Sequence, residues 1–229
     1  MSLRRKTPDL FPVHEATLPS GLRVRMVPDH DAPVVSLYTF FQVGSRNERP
    51  GITGISHLFE HMMFNGAEKY GPKEFDEVLE SNGGRSNAYT THDTTVYYED
   101  FAADALDTVL DLESDRMRAL TIDDRSLRSE REVVKEERRL RVDNEPAGLM
   151  DEALQALIYQ SHPYRWPVIG WMGDIEAIRR EDCEAYFRTF YAPNNALLWV
   201  AGTSIPTPSC GASAGRTVTS AAALRCPRW

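Results

Sequence analysis

GISHLFEHMMFNG, residues 54–66, is an apolar segment that carries His57, Glu60 and His61 in its middle. At about 100° per residue a helix places those three side chains inside one arc of about 100°. Leu58, Phe59, Met62, Met63 and Phe64 fill the rest of the circumference. A helix so apolar is a buried helix, and an unpaired polar group inside it is heavily penalised, so these three side chains need a partner. Histidines at i and i+4 can turn their imidazole nitrogens onto one cation. A carboxylate at i+3 then lies beside that cation, the arrangement of a zinc site with a general base next to it. The alternative is a pair of buried histidines satisfied by backbone carbonyls, and a third ligand separates the two readings.

SEREVVKEERRL, residues 129–140, supplies one. On a helical wheel Glu130, Val133, Val134 and Glu137 share an arc with Leu127, whereas Arg131, Glu132, Lys135, Glu136, Arg138 and Arg139 point elsewhere and can be solvated. A carboxylate on an inward face needs a cation or strong donors, and Glu137 is the expected third ligand. Glu130, two turns away on the same face, is expected to orient a ligand histidine or the metal-bound water. A solvated charged helix whose wheel happens to align is the competing reading of this stretch alone.

The flanking sequence predicts an α+β fold, a mostly antiparallel sheet layered with helices. EATLPSGLRVRMVPD reads as two strands about a Pro-Ser-Gly turn, and APVVSLYTFFQVGS as a third. Residues 52–64 are helical, and GPKEFDEVLESNGG is a short amphipathic helix closed by a glycine pair. SNAYTTHDTTVYYEDF alternates and predicts one further strand. From Ala103 to about Leu157 the chain is mostly helical, broken at TIDD and NEPAG. SHPYRWPVIG reads as a loop, REDCEAYFRTFY as a helix and NNALLWVAG as a final strand returning to the sheet. Residues 1–11 form a lead and 12–201 one domain. Residues 202–229, with no Asp or Glu although the chain holds 34, read as a disordered tail or as sequence foreign to the fold.

The bulk composition narrows the function classes. With 229 residues, 41% of them hydrophobic, the chain can bury a sizeable core. A net charge of -8 with interspersed signs argues against a nucleic-acid surface, which needs a concentrated basic face. No run of about 18 apolar residues occurs, so no transmembrane segment is expected, and no secretory signal is apparent. Cys183, Cys210 and Cys226 lack CxxC spacing, which predicts no disulfide framework and a cytoplasmic setting.

HLFEHMMFNG, followed 76 residues after His61 by the Glu137 of EREVVKEE, resembles the pitrilysin-type zinc metallopeptidases, the inverted zincins with the HxxEH motif. The likeness extends through TLPSGLRV, VGSRNERPGITGISH, SNAYTTHDTTVYY and the HPYRWPVIGWMGDIEAI region, over about residues 12–202. It implies that His57, His61 and Glu137 hold one Zn2+ per chain, that Glu60 is the general base acting on zinc-activated water, and that Glu130 supports them. It further implies that Asn87 and Ala88 bind a peptide or unfolded polypeptide along a strand edge. It implies, too, a second homologous half-domain or partner chain that supplies an Arg and Tyr pair, which nothing in this chain matches. The alternative within the same likeness is an inert module that binds zinc and peptide without turnover.

Overall fold

The computed structural model describes residues 12–203. The expected lead and almost all of the expected tail lie outside them. Six strands form one mixed sheet: β1 His14–Thr17, β2 Arg23–Pro28, β3 Val34–Phe41, β4 Arg85–Thr90, β5 Thr95–Ala102 and β6 Ala196–Gly202. Their order across the sheet is β1-β2-β6-β3-β5-β4. Every neighbouring pair is antiparallel except β2 and β6. The last of these strands therefore inserts between the β1–β2 hairpin and β3. In place of the single strand expected over residues 86–98, β4 and β5 form a hairpin. Its turn is held by Thr91, whose backbone N–H donates to the Thr94 carbonyl and whose hydroxyl accepts from Asp93 and Thr94 N–H groups. The polar THDT run offered enough local hydrogen bonding to reverse the chain, and alternation alone cannot reveal that.

Among the described residues seven α-helices accompany the sheet: α1 Ile55–Met62, α2 Glu74–Ser81, α3 Leu106–Ala119, α4 Asp124–Arg138, α5 Pro146–Ile158, α6 Met172–Ala177 and α7 Arg180–Phe190. The short α6 was not anticipated, and a π-helical turn over Arg139–Asp143 joins α4 to α5. Alternation in β3 sends Val35, Leu37, Thr39 and Phe41 inward. Phe59 of α1, Tyr186 of α7 and Tyr191 meet Phe41 and Tyr97 there in one aromatic cluster. Sheet, α1 and α7 thus share a single core, which makes α1 a rigid platform.

Candidate metal centre and cleft

The sequence fixes α1 in place from its N-terminal end. Glu48, buried, accepts from Gly54 N–H through Oε2 and from Ser56 N–H through Oε1, both at 2.8 Å, satisfying amide groups the first turn leaves unpaired. Burial pushes the Glu48 carboxyl up to about 7, against the bonds from Ser56 and Gly54. Asp174 of α6 takes Gly51 N–H, Thr53 N–H and Thr53 Oγ1 on one oxygen. Gly54 (φ 87°) and Gly170 (φ 83°) pass backbone against backbone: a Cβ on Gly54 would lie 2.4 Å from the Ile169 carbonyl oxygen, and one on Gly170 2.3 Å from that of Thr53. Only glycine fits at this crossing.

On α1, Leu58, Phe59 and Met62 are buried, and His57, Glu60 and His61 are half-buried on the side facing α4 and β4. Asp123 caps α4 by accepting from Arg125 and Ser126 N–H groups, and Leu127 and Val134 pack inward with Glu130 and Glu137 half-buried beside them. Two expectations of the wheel fail. Val133 is 48% exposed, because it lies at the edge of the arc, beyond the reach of α1. Arg138, expected in solvent, is buried: its guanidinium donates to both Glu152 oxygens and to the Gly170 carbonyl and lies over the Trp171 ring.

The helix pair brings His57 Nε2 to 3.5 Å and His61 Nε2 to 3.4 Å from Glu137 Oε2. One donor atom from each residue lies within 4.8 Å of the others, the sole such group among the described residues. A tetrahedral zinc ion about 2.0–2.2 Å from N and O donors holds them about 3.3–3.6 Å apart, and both His–Glu137 separations match that spacing. His57 Nδ1 is buried without a hydrogen-bond partner, so the ring's one engaged nitrogen is the one turned towards Glu137. Glu130 Oε2 stands 3.5 Å from His61 Nδ1, the nitrogen facing away from Glu137. Arg141, in the π turn, forms an ion pair with Glu137 Oε1 at 2.8 Å.

The electrostatics separate the two imidazoles. Burial lowers His57 to about 4. Burial also works on His61, but the bonds to Glu130 and Glu137 outweigh it and hold that ring at about 9. The bond to His61 keeps the Glu137 carboxyl below its ordinary range. A cation taking His61 Nε2 must therefore displace a proton, and it enters a site that already carries two carboxylates, Glu130 and Glu137.

Glu60 sits on the same wall, and its Oε2 accepts from Thr90 Oγ1 of β4 at 2.5 Å. Burial raises the Glu60 carboxyl, with the Thr90 bond opposing. A cleft of about 570 Å³ runs between α1 and β4, with Glu60, the two histidines and Glu137 on one side and Asn87 to Thr90 on the other. β4 is an edge strand, Asn87 and Ala88 border the cleft, and Asn87 Oδ1 accepts from the Ala88 N–H. The residues the sequence reading passed over are Thr90, Arg141, Glu48 and Asp174. Thr90 shares a strand face with Ala88, and Arg141 lies four residues past Glu137, so both had a positional signal. Glu48 and Asp174 had none, since they act across loops. His92 lies in the β4–β5 turn against Tyr164, His162 accepts from Tyr164 N–H, and Cys183 is buried; none of them reaches the cleft.

Comparison with known proteins identifies the family. The sequence profile of the family described as Insulinase (Peptidase family M16) matches residues 23–170. "Zinc protease PqqE" of Helicobacter pylori is 37% identical over 194 residues, covering 84% of this chain and 44% of that protein. The "Probable mitochondrial-processing peptidase subunit beta, mitochondrial" of Arabidopsis thaliana is 30% identical over 190 residues, covering 81% of this chain and 35% of that one. Among solved structures, a protease from Helicobacter pylori superposes with a TM-score of 0.82 at 36% identity, over 86% of this chain and 48% of that chain. The first half of the periplasmic protease PqqL from Escherichia coli gives 0.76 at 27% identity, over 85% and 43%. The chain thus spans less than half the length of these curated relatives.

Proposed function

Because the chain belongs to the Insulinase (Peptidase family M16) family, we propose that it is the catalytic half of a zinc endopeptidase. In this reading His57, His61 and Glu137 hold one zinc ion and Glu60 is the general base. The observation that carries it is the 3.4–3.5 Å spacing of two imidazole nitrogens about one Glu137 oxygen, with Glu60 beside them in an open cleft.

Zinc, when bound, supplies Lewis acidity that polarises the scissile carbonyl and makes water acidic enough to attack near neutral pH. Glu60, held by Thr90 and made more basic by burial, removes a proton from the attacking water and later delivers it to the leaving amine. Glu130 is a positioning residue that keeps the His61 ring turned towards Glu137, and Arg141 does the same for the Glu137 carboxylate. An extended peptide adds to the edge of β4 at Asn87 and Ala88, its carbonyl replacing the Asn87 side chain as acceptor of the Ala88 N–H. Backbone pairing of this kind suits unfolded polypeptides of varied sequence. A second homologous half-domain, in the same protein or a partner chain, completes the enclosure, in keeping with relatives more than twice as long as the matched region.

The test is metal content per chain by elemental analysis for the wild type, His61→Ala and Glu137→Ala, with cleavage of an unstructured peptide by the wild type. One zinc abolished by either substitution, with cleavage, is the expected result. Zinc without cleavage assigns turnover to the chain plus its second half, and absence of zinc overturns the proposal.

A further inference from the structure

The line of side chains that begins with His57 and His61 does not stop at the end of α1. Met63 N–H donates to the Phe59 carbonyl, Phe64 N–H to that of His61 and Asn65 N–H to that of Met62, so the helical winding runs on and sets Asn65 about one turn beyond His61. The four-residue spacing repeats from His57 to His61 to Asn65, which places all three along one side. Helix α4 packs against α1 in the opposite sense: Glu137 meets His57 and His61, and Glu130, earlier in α4, meets His61 at the other nitrogen of its ring. Asn65 continues this ladder at the Glu130 end.

Asn65 is half-buried, and its Nδ2 atom lies out of solvent without closing a hydrogen bond. A buried donor needs an acceptor, and the Glu130 carboxyl stands beside this one. Burial by itself would raise that carboxyl; the approach of His61 and of the Asn65 amide overrides it and brings Glu130 below its ordinary range. Of the two ends of an amide only the nitrogen suits a carboxylate, since oxygen facing oxygen is repulsive. The residue type matters as well. A lysine or arginine at this position would neutralise Glu130, whereas a neutral amide satisfies the carboxylate and leaves its charge to the His61 ring.

We propose that Asn65 is a positioning residue of the metal centre: its amide nitrogen holds the Glu130 carboxylate, which in turn holds the ring of His61 through Nδ1. The inference rests on the reading of His57, His61 and Glu137 as zinc ligands, and adds to it a residue that acts through Glu130. When Nε2 of His61 is given to a metal, the proton of the neutral ring sits on Nδ1. A fixed Glu130 oxygen then keeps that N–H, and with it the plane of the ring, in register with Glu137.

Zinc dissociation constants of the full chain, from competition with a fluorescent chelator, test it. Asn65→Leu keeps the branched shape and removes the donor, and should weaken zinc by about 10-fold, the low end of what losing a group behind a metal ligand costs. Asn65→Ala, which adds no apolar bulk, should lose as much, both with the circular dichroism of wild type. Glu130→Ala should weaken zinc by about 10–100-fold. Adding Asn65→Leu to it should cost nothing more, because the amide then has no carboxylate to hold. In heteronuclear NMR of the zinc-loaded chain the His61 Nδ1 proton should exchange with water faster in Asn65→Leu than in wild type, a signal that a merely structural role would not move. Affinity of both Asn65 variants within about twofold of wild type, or a loss that persists undiminished in the Glu130→Ala background, would overturn the proposal and leave the zinc reading standing. A wild type that binds no zinc brings down the zinc reading and this inference together.

Discussion

Arg138→Ala is the perturbation whose magnitude the structure specifies most fully. The guanidinium is 6% exposed and makes a two-pronged contact with Glu152, 2.8 and 3.2 Å, along with a 2.7 Å bond to the buried Gly170 carbonyl. It thereby ties the last turn of α4, which carries Glu137, to α5 and to the Gly54–Gly170 crossing at the start of α1. Removing one member of a buried pair costs about 3–5 kcal/mol. The Gly170 carbonyl, left without its donor, adds about 1–3 kcal/mol. Glu152 is 13% exposed and water can reach it from the vacated volume, so the loss falls just below the combined range of about 4–8 kcal/mol, at about 3–4 kcal/mol. With a urea slope of about 2–3 kcal/mol per molar, the unfolding midpoint should fall by about 1–2 M. Arg138→Lys keeps the charge but cannot span Glu152 and Gly170 together, and should lose about half as much. A double-mutant cycle with Glu152→Gln should return a coupling of about 1–3 kcal/mol. A loss under about 1 kcal/mol for Arg138→Ala, or no coupling to Glu152, would refute the idea that this ion pair locks the end of α4 in place.

Three further outcomes are expected. Glu60→Gln should keep zinc by elemental analysis while peptide cleavage falls by about 10²–10⁴-fold; equal loss of zinc would make Glu60 a ligand instead of a base. Gly54→Ala should destabilise by about 3 kcal/mol in thermal unfolding, because alanine must adopt φ near 87° and push its Cβ into the Ile169 carbonyl; a change below about 1 kcal/mol would show that the crossing relaxes freely. Glu48 gives a pH signature. Its carboxyl is raised from 4.5 to about 7 on folding, so the folded state binds the extra proton between those values. Stability from this group is fully present below pH about 4.5 and is lost as pH rises through about 7, by about 3 kcal/mol in all. Urea midpoints of wild type against Glu48→Gln should therefore diverge over that window, and parallel curves would contradict it.

The sequence by itself determined the α+β class, both site helices and which of their polar side chains share a face. Those are local matters: His57, Glu60 and His61 within one and a half turns of an apolar helix, and Glu130 and Glu137 two turns apart, declare their shared face through the 3.6-residue period alone. Alternation likewise marked β3, where Val35, Leu37, Thr39 and Phe41 do point inward. Only the tertiary structure decided what depends on distant partners. Val133 and Arg138 sit on the same helix as Glu137, yet the first is exposed and the second buried, because burial is set by where α5, α6 and the Gly170 loop stand and not by the wheel. Thr90 became a partner of Glu60 because the β4–β5 hairpin places β4 at the sheet edge beside α1. The outward apolar side of α5, where Met150 and Leu157 stand exposed, was equally hidden, since helical periodicity tells which residues share a side but not which side meets the core.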